Sequence, residues 1–298
     1  MSGPLPHRPW HWLKNSIGPD SLTWIDRAYA VDWLLATALW FLSFFFTYAN
    51  VYERPFDIND PLISHPHTKQ QMSGSLNGMI ALYIPFAACV GVGMMLRSVM
   101  DIHHGILSVW ASRGLARLIT EFIKNRVGRL RPDFLARCKW DGALNACTGK
   151  AEDIRDGRRS FPSGHSSTAF AGMTFLSLFI AGKTAAWCFR APLAPASLRS
   201  SRLTRLFITL IPLLYASWVA ITRVEDFRHH KEDVIVGSLI GVFAATTCYL
   251  VFFPNPFSAQ SYSSGPRMLY RDDNNGDSRA RNGGFELTRL DDDDMEPV

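Results

Sequence analysis

Long apolar stretches alternate along the chain with short polar connections. Five stretches contain no Asp, Glu, Lys or Arg: Trp33 to Tyr52, Gln70 to Leu96, Ser160 to Gly182, Leu206 to Thr222 and Val234 to Phe253. A helix rises 1.5 Å per residue, so about 20 apolar residues cross a hydrocarbon core roughly 30 Å thick, and each of the five can be a membrane helix. They are apolar on all sides rather than along one stripe, which favours lipid surroundings over the buried core of a soluble helical protein. Trp33, Tyr48, Tyr52, Trp187 and Tyr249 lie near the ends of these stretches, where amphipathic rings suit the membrane interface.

A sixth stretch, Gly105 to Ile123, is interrupted by Arg113, Arg117 and Glu121. Their spacing of four places them on one helical face that continues roughly to Lys124, so the charged stripe turns toward the bundle interior. The pattern predicts an all-α, polytopic membrane protein with a six-transmembrane-helix bundle over residues 31–253. A polar arm over residues 1–30 precedes it. A tail over 254–298 follows, rich in Pro, Ser, Gly and Asn and ending near the acidic run Asp291 to Asp294; it is expected to be disordered, with the acidic run a solvated cluster. The first 30 residues carry Pro4, Pro6 and Pro9 and lack a short apolar core with a cleavage site, so the first spanning helix is expected to act as its own insertion signal.

Six spans put both termini on one side and the connections Asn125 to Gly164 and Arg223 to Glu232 together on the other. The connection Lys183 to Arg205 holds five basic residues and no acid, which favours the cytosol, although the connection after the third helix is richer still in Arg and Lys. Part of that second excess reads as functional. The 298 residues contain neither an internal repeat nor a Gly-rich nucleotide loop, leaving an ATP-driven pump or a kinase without support.

Three polar motifs end the apolar stretches on that shared side: Lys124 with Arg131 and Pro132, then Pro162-Ser163-Gly164-His165, then Arg223 with His229 and Asp233. Arg meets a phosphate with a planar fork and Lys with a mobile point charge. Arg126, Arg129 and Arg131 taken alone read equally as a basic patch for anionic headgroups. Ser163 and Gly164 stand where a helix start offers free amides to an anion; a plain capping turn explains them too, but not His165. Asp233 lies four residues after His229, so a carboxylate can fix the imidazole tautomer and leave the other nitrogen as a nucleophile, although such a pair is more often structural. His230 and the pair His103-His104 supply no convincing three-ligand set, so no metal and no cofactor are expected.

Lys124 to Pro132, a Lys followed by six residues and Arg-Pro, resembles the first signature of the type 2 phosphatidic acid phosphatase (PAP2) superfamily. Pro162 to His165 resembles the second, and Arg223, five residues, His229, three residues and Asp233 resembles the third. Thr222 departs from the Ser usual before that Arg and keeps a hydroxyl as a possible secondary phosphate contact. Glu53-Arg54-Pro55-Phe56, Ile58-Asn59-Asp60, Ile63-Ser64-His65-Pro66 and Val127 to Cys138 are similar to the fungal diacylglycerol pyrophosphate phosphatases and lipid phosphate phosphatases within it.

The resemblance implies a helix bundle of the PAP2/haloperoxidase-like type. It implies a Mg-independent phosphatase acting on diacylglycerol pyrophosphate, phosphatidate and lysophosphatidate. In it His229 attacks phosphorus, Asp233 orients His229, His165 handles the leaving-group proton, and Lys124, Arg131, Ser163, Gly164 and Arg223 hold the phosphate oxygens. The implied partners are glycerophospholipid phosphates in the bilayer, with no nucleic acid and with oligomeric state open; the implied location is an endomembrane such as the vacuole, with the site facing the lumen. A polyprenyl diphosphate phosphatase would use the same site on a different lipid tail, and a non-enzymatic lipid-binding membrane protein or transporter is the third class. Cys138 and Cys147 share one long connection, so an oxidising lumen allows a disulfide there, with free thiols as the alternative.

Overall fold

The computed structural model describes residues 27–188, 201–258, 265–267 and 269. Most of the amino-terminal arm, half of the basic connection Lys183 to Arg205 and most of the tail, with its acidic run, lie outside the described residues.

Eight α-helices occur among the described residues. Six are long: α1 (Ala28–Tyr48), α2 (Gly74–Leu96), α3 (Val99–Val127), α6 (Gly164–Thr184), α7 (Arg202–Glu225) and α8 (Lys231–Phe252). Two are short, α4 (Phe134–Cys138) and α5 (Ala151–Gly157), and flank a two-stranded antiparallel ribbon of β1 (Trp140–Asp141) and β2 (Ala146–Cys147). The expected count of six is therefore incomplete. Helices of five and seven residues are too short to leave a periodic apolar signature, and both fold inside a connection that reads as polar loop.

The long helices fall where the apolar stretches predict them, with shifted ends. Ser73, Ser98, Ser163 and Ser201 cap α2, α3, α6 and α7 by accepting a backbone N–H in the first turn, which sets those starts. Gly128 ends α3 in the left-handed region at φ 58°, and a Cβ there would lie 2.0 Å from the Tyr52 carbonyl oxygen, so both backbone conformation and chain approach require glycine.

Four of the helices, α1, α2, α7 and α8, are long and apolar enough to cross a membrane. They turn Leu34, Phe41 and Phe45 (α1), Tyr83 (α2), Phe207 and Leu214 (α7), and Leu239 and Phe243 (α8) outward. The two others, α3 and α6, carry polar side chains and sit inside. α6 packs against α2, α3, α7 and α8 and is buried over most of its length. Small residues let the helices approach closely: a Cβ at Gly172 of α6 would fall 1.9 Å from the Ala81 carbonyl of α2, and one at Gly241 of α8 would fall 2.6 Å from the Ser167 carbonyl. Away from the motifs the core is aromatic, with Phe175, Phe179, Tyr249 and Phe253 stacked or edge-on between α6 and α8.

Asp101 near the start of α3 pairs with Lys183 near the end of α6. At the opposite ends of those helices lie the three motifs. The connection before α2 folds back over that end: Thr68 Oγ1 donates to the Asp226 carbonyl at 2.8 Å, the Gln71 amide to Asp226 Oδ2 at 2.9 Å, and His65 stacks on Phe227 with ring centroids 4.6 Å apart.

Candidate active site

The Phe161–Pro162 peptide is cis, and the chain then enters α6 through Ser163. The Ser163 amide donates to the Asp233 carbonyl at 2.8 Å, and Gly237 lies so near that a Cβ on it would meet the Ser163 carbonyl at 2.5 Å. The second and third motifs are thus in direct backbone contact. The first joins them through Lys124, whose Nζ would stand 3.3 Å from a Cβ on Gly164. Helix geometry leaves the first amides of α6 without intrahelical acceptors, so Gly164 and His165 present donors beside that ammonium.

Arg223 is buried at the end of α7. Its Nε and Nη2 donate to Thr222 Oγ1 at 3.1 and 3.0 Å, its Nη2 donates also to Asp226 Oδ2 at 2.7 Å, and its Nη1 has no partner among the described residues. Thr222 itself donates to the Val219 carbonyl at 2.8 Å. The hydroxyl foreseen as a secondary phosphate contact is therefore engaged in aiming Arg223. Beyond α7 the chain turns sharply: the amides of Arg228 and His229 both donate to the Arg223 carbonyl, at 3.0 and 3.2 Å, which fixes the His229 backbone against the end of α7.

His229 Nδ1 lies 3.7 Å from Asp233 Oδ2, an ion-pair separation rather than a hydrogen bond, and has no other partner among the described residues. Asp233 Oδ2 has closer donors, the Ser160 hydroxyl at 2.5 Å and the His230 amide at 3.0 Å, while Oδ1 accepts from Arg129 Nη1 at 2.8 Å. Burial holds the His229 imidazole well below its ordinary value, at about 3; Asp233 opposes that shift, and Arg131 and Lys124 add to it. The ring is accordingly neutral near pH 7. His165 Nε2 is likewise buried without a partner, and the His165 carbonyl accepts from Asn77 Nδ2 of α2 at 2.9 Å. Arg223, His229, Lys124 and Arg131 all lie within electrostatic range of the His165 ring.

Arg131 turns its Nε to the Asp156 carbonyl at 2.9 Å and its Nη2 to Asp156 Oδ1 at 2.8 Å, while Arg137 takes Asp156 Oδ2 at 2.8 Å. Burial acts to raise the Asp156 carboxyl, but Arg131, Arg137 and Lys124 outweigh it and hold it below the usual carboxylate range. Lys124 is buried and makes neither hydrogen bond nor ion pair among the described residues.

All eight residues singled out by sequence, Lys124, Arg131, Ser163, Gly164, His165, Arg223, His229 and Asp233, thus meet at one end of the bundle. Ser163 uses its hydroxyl oxygen as the α6 cap, accepting from the Ser166 hydroxyl at 3.0 Å, and retains only its own proton to donate. Sequence reasoning missed four polar neighbours. Asp156, Ser160 and Asp226 hold Arg131, Asp233 and Arg223, and Arg129 binds Asp233 instead of facing headgroups. The one legible signal was Arg129 itself, two residues before Arg131. Cys138 and Cys147 form a disulfide that ties α4 to β2.

The PAP2 superfamily family model matches residues 105–257. Lipid phosphate phosphatase 2 of Arabidopsis thaliana is 39% identical over 201 residues, 65% of this chain and 65% of the relative. Diacylglycerol pyrophosphate phosphatase 1 of Saccharomyces cerevisiae is 36% identical over 70% of this chain and 73% of the relative. Probable lipid phosphate phosphatase 4 of Arabidopsis thaliana is 30% identical over 83% of this chain and 79% of the relative. The chain spans 65% and 57% of the length of the first two Arabidopsis relatives it matches. No solved structure is significantly similar to it. On the family match and these relatives, the chain belongs to the PAP2 superfamily.

Proposed function

We propose that the protein is an integral membrane phosphatase that hydrolyses the phosphates of glycerolipids, including diacylglycerol pyrophosphate, phosphatidate and lysophosphatidate, without Mg²⁺. The observation that carries this reading is the convergence at one end of the bundle of two buried, unpartnered polar atoms, Arg223 Nη1 and His165 Nε2, with the buried Lys124 side chain and a neutral His229. Buried polar groups are normally satisfied, so this cluster calls for a polyanionic ligand. The relatives' names, lipid phosphate and diacylglycerol pyrophosphate phosphatases, favour a lipid phosphate.

With Nδ1 facing Asp233, the His229 Nε2 lone pair attacks phosphorus. An N–P bond forms, the P–O bond to the leaving group breaks, and its electron pair goes to that oxygen, which takes a proton from His165. Water then attacks the phosphohistidine, giving its proton to His165. The N–P electrons return to His229, and inorganic phosphate leaves. Lys124, Arg131, Arg223 and the Ser163 and Gly164 donors hold the nonbridging oxygens, where charge accumulates in the transition state.

The domain is read as residues 31–253, with six helices crossing the bilayer and α3 and α6 shielded by the four apolar ones. The Cys138–Cys147 disulfide favours a lumenal site in an endomembrane such as the vacuole. The test is phosphate release in EDTA from diacylglycerol pyrophosphate, phosphatidate, lysophosphatidate and polyprenyl diphosphates, alongside His229→Ala. Release from glycerolipids that vanishes in the variant is expected. Preference for polyprenyl diphosphates reassigns the substrate, and an active His229→Ala removes the nucleophile.

A further inference from the structure

The charged stripe on α3 continues beyond the phosphate cradle. Two turns before Lys124, Arg117 lines a cavity of about 230 Å³ between α2, α3 and α6, whose other walls include Asn77, Thr120, Glu121, Gly164 and His165. Two residues, Gly164 and His165, thus belong both to the cradle and to this cavity. Neighbouring charges of the stripe are occupied: Glu121 pairs with Arg159, and Arg113 donates from Nη1 to the Thr168 carbonyl at 3.0 Å. Arg117 is not. It makes no hydrogen bond or ion pair among the described residues, its Nε is buried without a partner, and its guanidinium lies 5.9 Å from the centroid of the Trp40 ring. With the carboxylate in that wall, Glu121, taken by Arg159, the Arg117 guanidinium beside this polar volume has no paired counter-anion among the described residues.

We propose that this cavity is the subsite for the proximal phosphate of a lipid diphosphate, and that Arg117 selects diphosphate over monophosphate lipids. The inference rests on the phosphatase reading above and names a specificity residue for it. With the distal phosphate in the cradle, His229 Nε2 forms its bond to the distal phosphorus and the bridging P–O bond breaks. The electron pair remains on the bridging oxygen, which stays with the proximal phosphate and receives the proton of His165. Negative charge grows on the proximal phosphate in the transition state, while the bridging bond breaks ahead of that proton transfer, and Arg117 lies in the wall of the volume next to His165 that receives it. A monophosphate lipid places only its neutral glycerol ester region there and gains little from the cation.

The experiment compares Arg117→Gln and Arg117→Lys with the parent, as full chains in detergent micelles, on diacylglycerol pyrophosphate and phosphatidate with identical acyl chains. Methylenediphosphonate and inorganic phosphate serve as competing inhibitors. Loss of a charge-assisted contact predicts a fall in kcat/KM of roughly 10- to 100-fold for the diphosphate lipid in Arg117→Gln, with phosphatidate changed less than about threefold. Arg117→Lys keeps the charge without the fork and should recover part of the loss. The advantage of methylenediphosphonate over phosphate as an inhibitor should shrink in parallel. Equal losses on both lipids, or no loss on either, overturn the assignment, and Arg117→Lys separates a lost charge from a misfolded bundle. If the parent releases phosphate from neither lipid, the phosphatase reading fails instead, and methylenediphosphonate binding by calorimetry still reports on the subsite.

Discussion

Gly237 offers a test of the site that touches none of its reacting atoms. It sits one turn after Asp233 on α8, and a Cβ there would lie 2.5 Å from the carbonyl oxygen and 3.2 Å from the amide nitrogen of Ser163. An ordinary carbon–oxygen contact is about 3.3 Å, so Gly237→Ala displaces the Ser163 to His165 turn from α8 by roughly 0.8 Å, and displacements of about 1 Å near reacting groups cost on the order of 100-fold in rate. The expected loss in kcat is roughly 10- to 100-fold. Stability moves little by comparison: alanine gains about 1 kcal/mol in helix propensity, against about 1–3 kcal/mol of overpacking. The assay is initial-rate phosphate release from phosphatidate micelles together with a thermal melt of the same preparation. Gly91→Ala on α2 is the control, because a Cβ there meets nothing within 4 Å. A Gly237→Ala protein within threefold of the parent rate would refute the dependence of turnover on this backbone contact, as would an equal loss in the Gly91→Ala control.

Arg129→Met removes the 2.8 Å partner of Asp233 Oδ1 while leaving Ser160 and His230 on Oδ2. A roughly tenfold fall in kcat with unchanged KM is expected for a positioning contact of about 1.4 kcal/mol, and a change confined to KM would place Arg129 on the substrate instead. The Cys138→Ser/Cys147→Ser protein should lose about 3 kcal/mol of stability from a loop closed across nine residues, read as a lower thermal midpoint; an unchanged midpoint would contradict this. Histidine-labelled protein without substrate should show, by comparison with His229→Asn, one ring that stays neutral as the pH falls from 8 to 5, because burial lowers its pKa from 6.5 to about 3. A midpoint near 6.5 for that ring would sink the buried-nucleophile picture.

The long helices and the three motifs were legible because both are written in local spacing. An apolar stretch declares its length, and Lys124 to Arg131 or His229 to Asp233 are separated by whole numbers of turns or by a single connection. The counter-charges were not legible. Asp156 reaches Arg131 only because α5 folds back onto α4, and Ser160 reaches Asp233 across 73 positions of sequence, so nothing periodic marks either. Thr222 shows the converse: its position beside Arg223 invited a ligand contact, and in the fold its hydroxyl accepts from the Arg223 guanidinium and donates to the Val219 carbonyl. The short helices α4 and α5 escaped because they are too short for a periodic stripe; a small apolar cluster around Phe134, Leu130 and Ile63, together with the disulfide and ion pairs, stabilises them.

The placement of the polar helices inside four apolar ones bears on biogenesis. Arg113 and Arg117 near the middle of α3 would each cost about 3 kcal/mol if that segment partitioned alone from a translocation channel into lipid. On the six-span reading proposed above, nascent α3 would be held at the channel, beside α1 and α2, until α6 emerges with the Thr168 carbonyl that receives Arg113. Integration would on that reading be a collective event spanning about 70 residues of synthesis, and in a chain stalled between α3 and α6 a cysteine placed in α3 should stay open to a water-soluble maleimide.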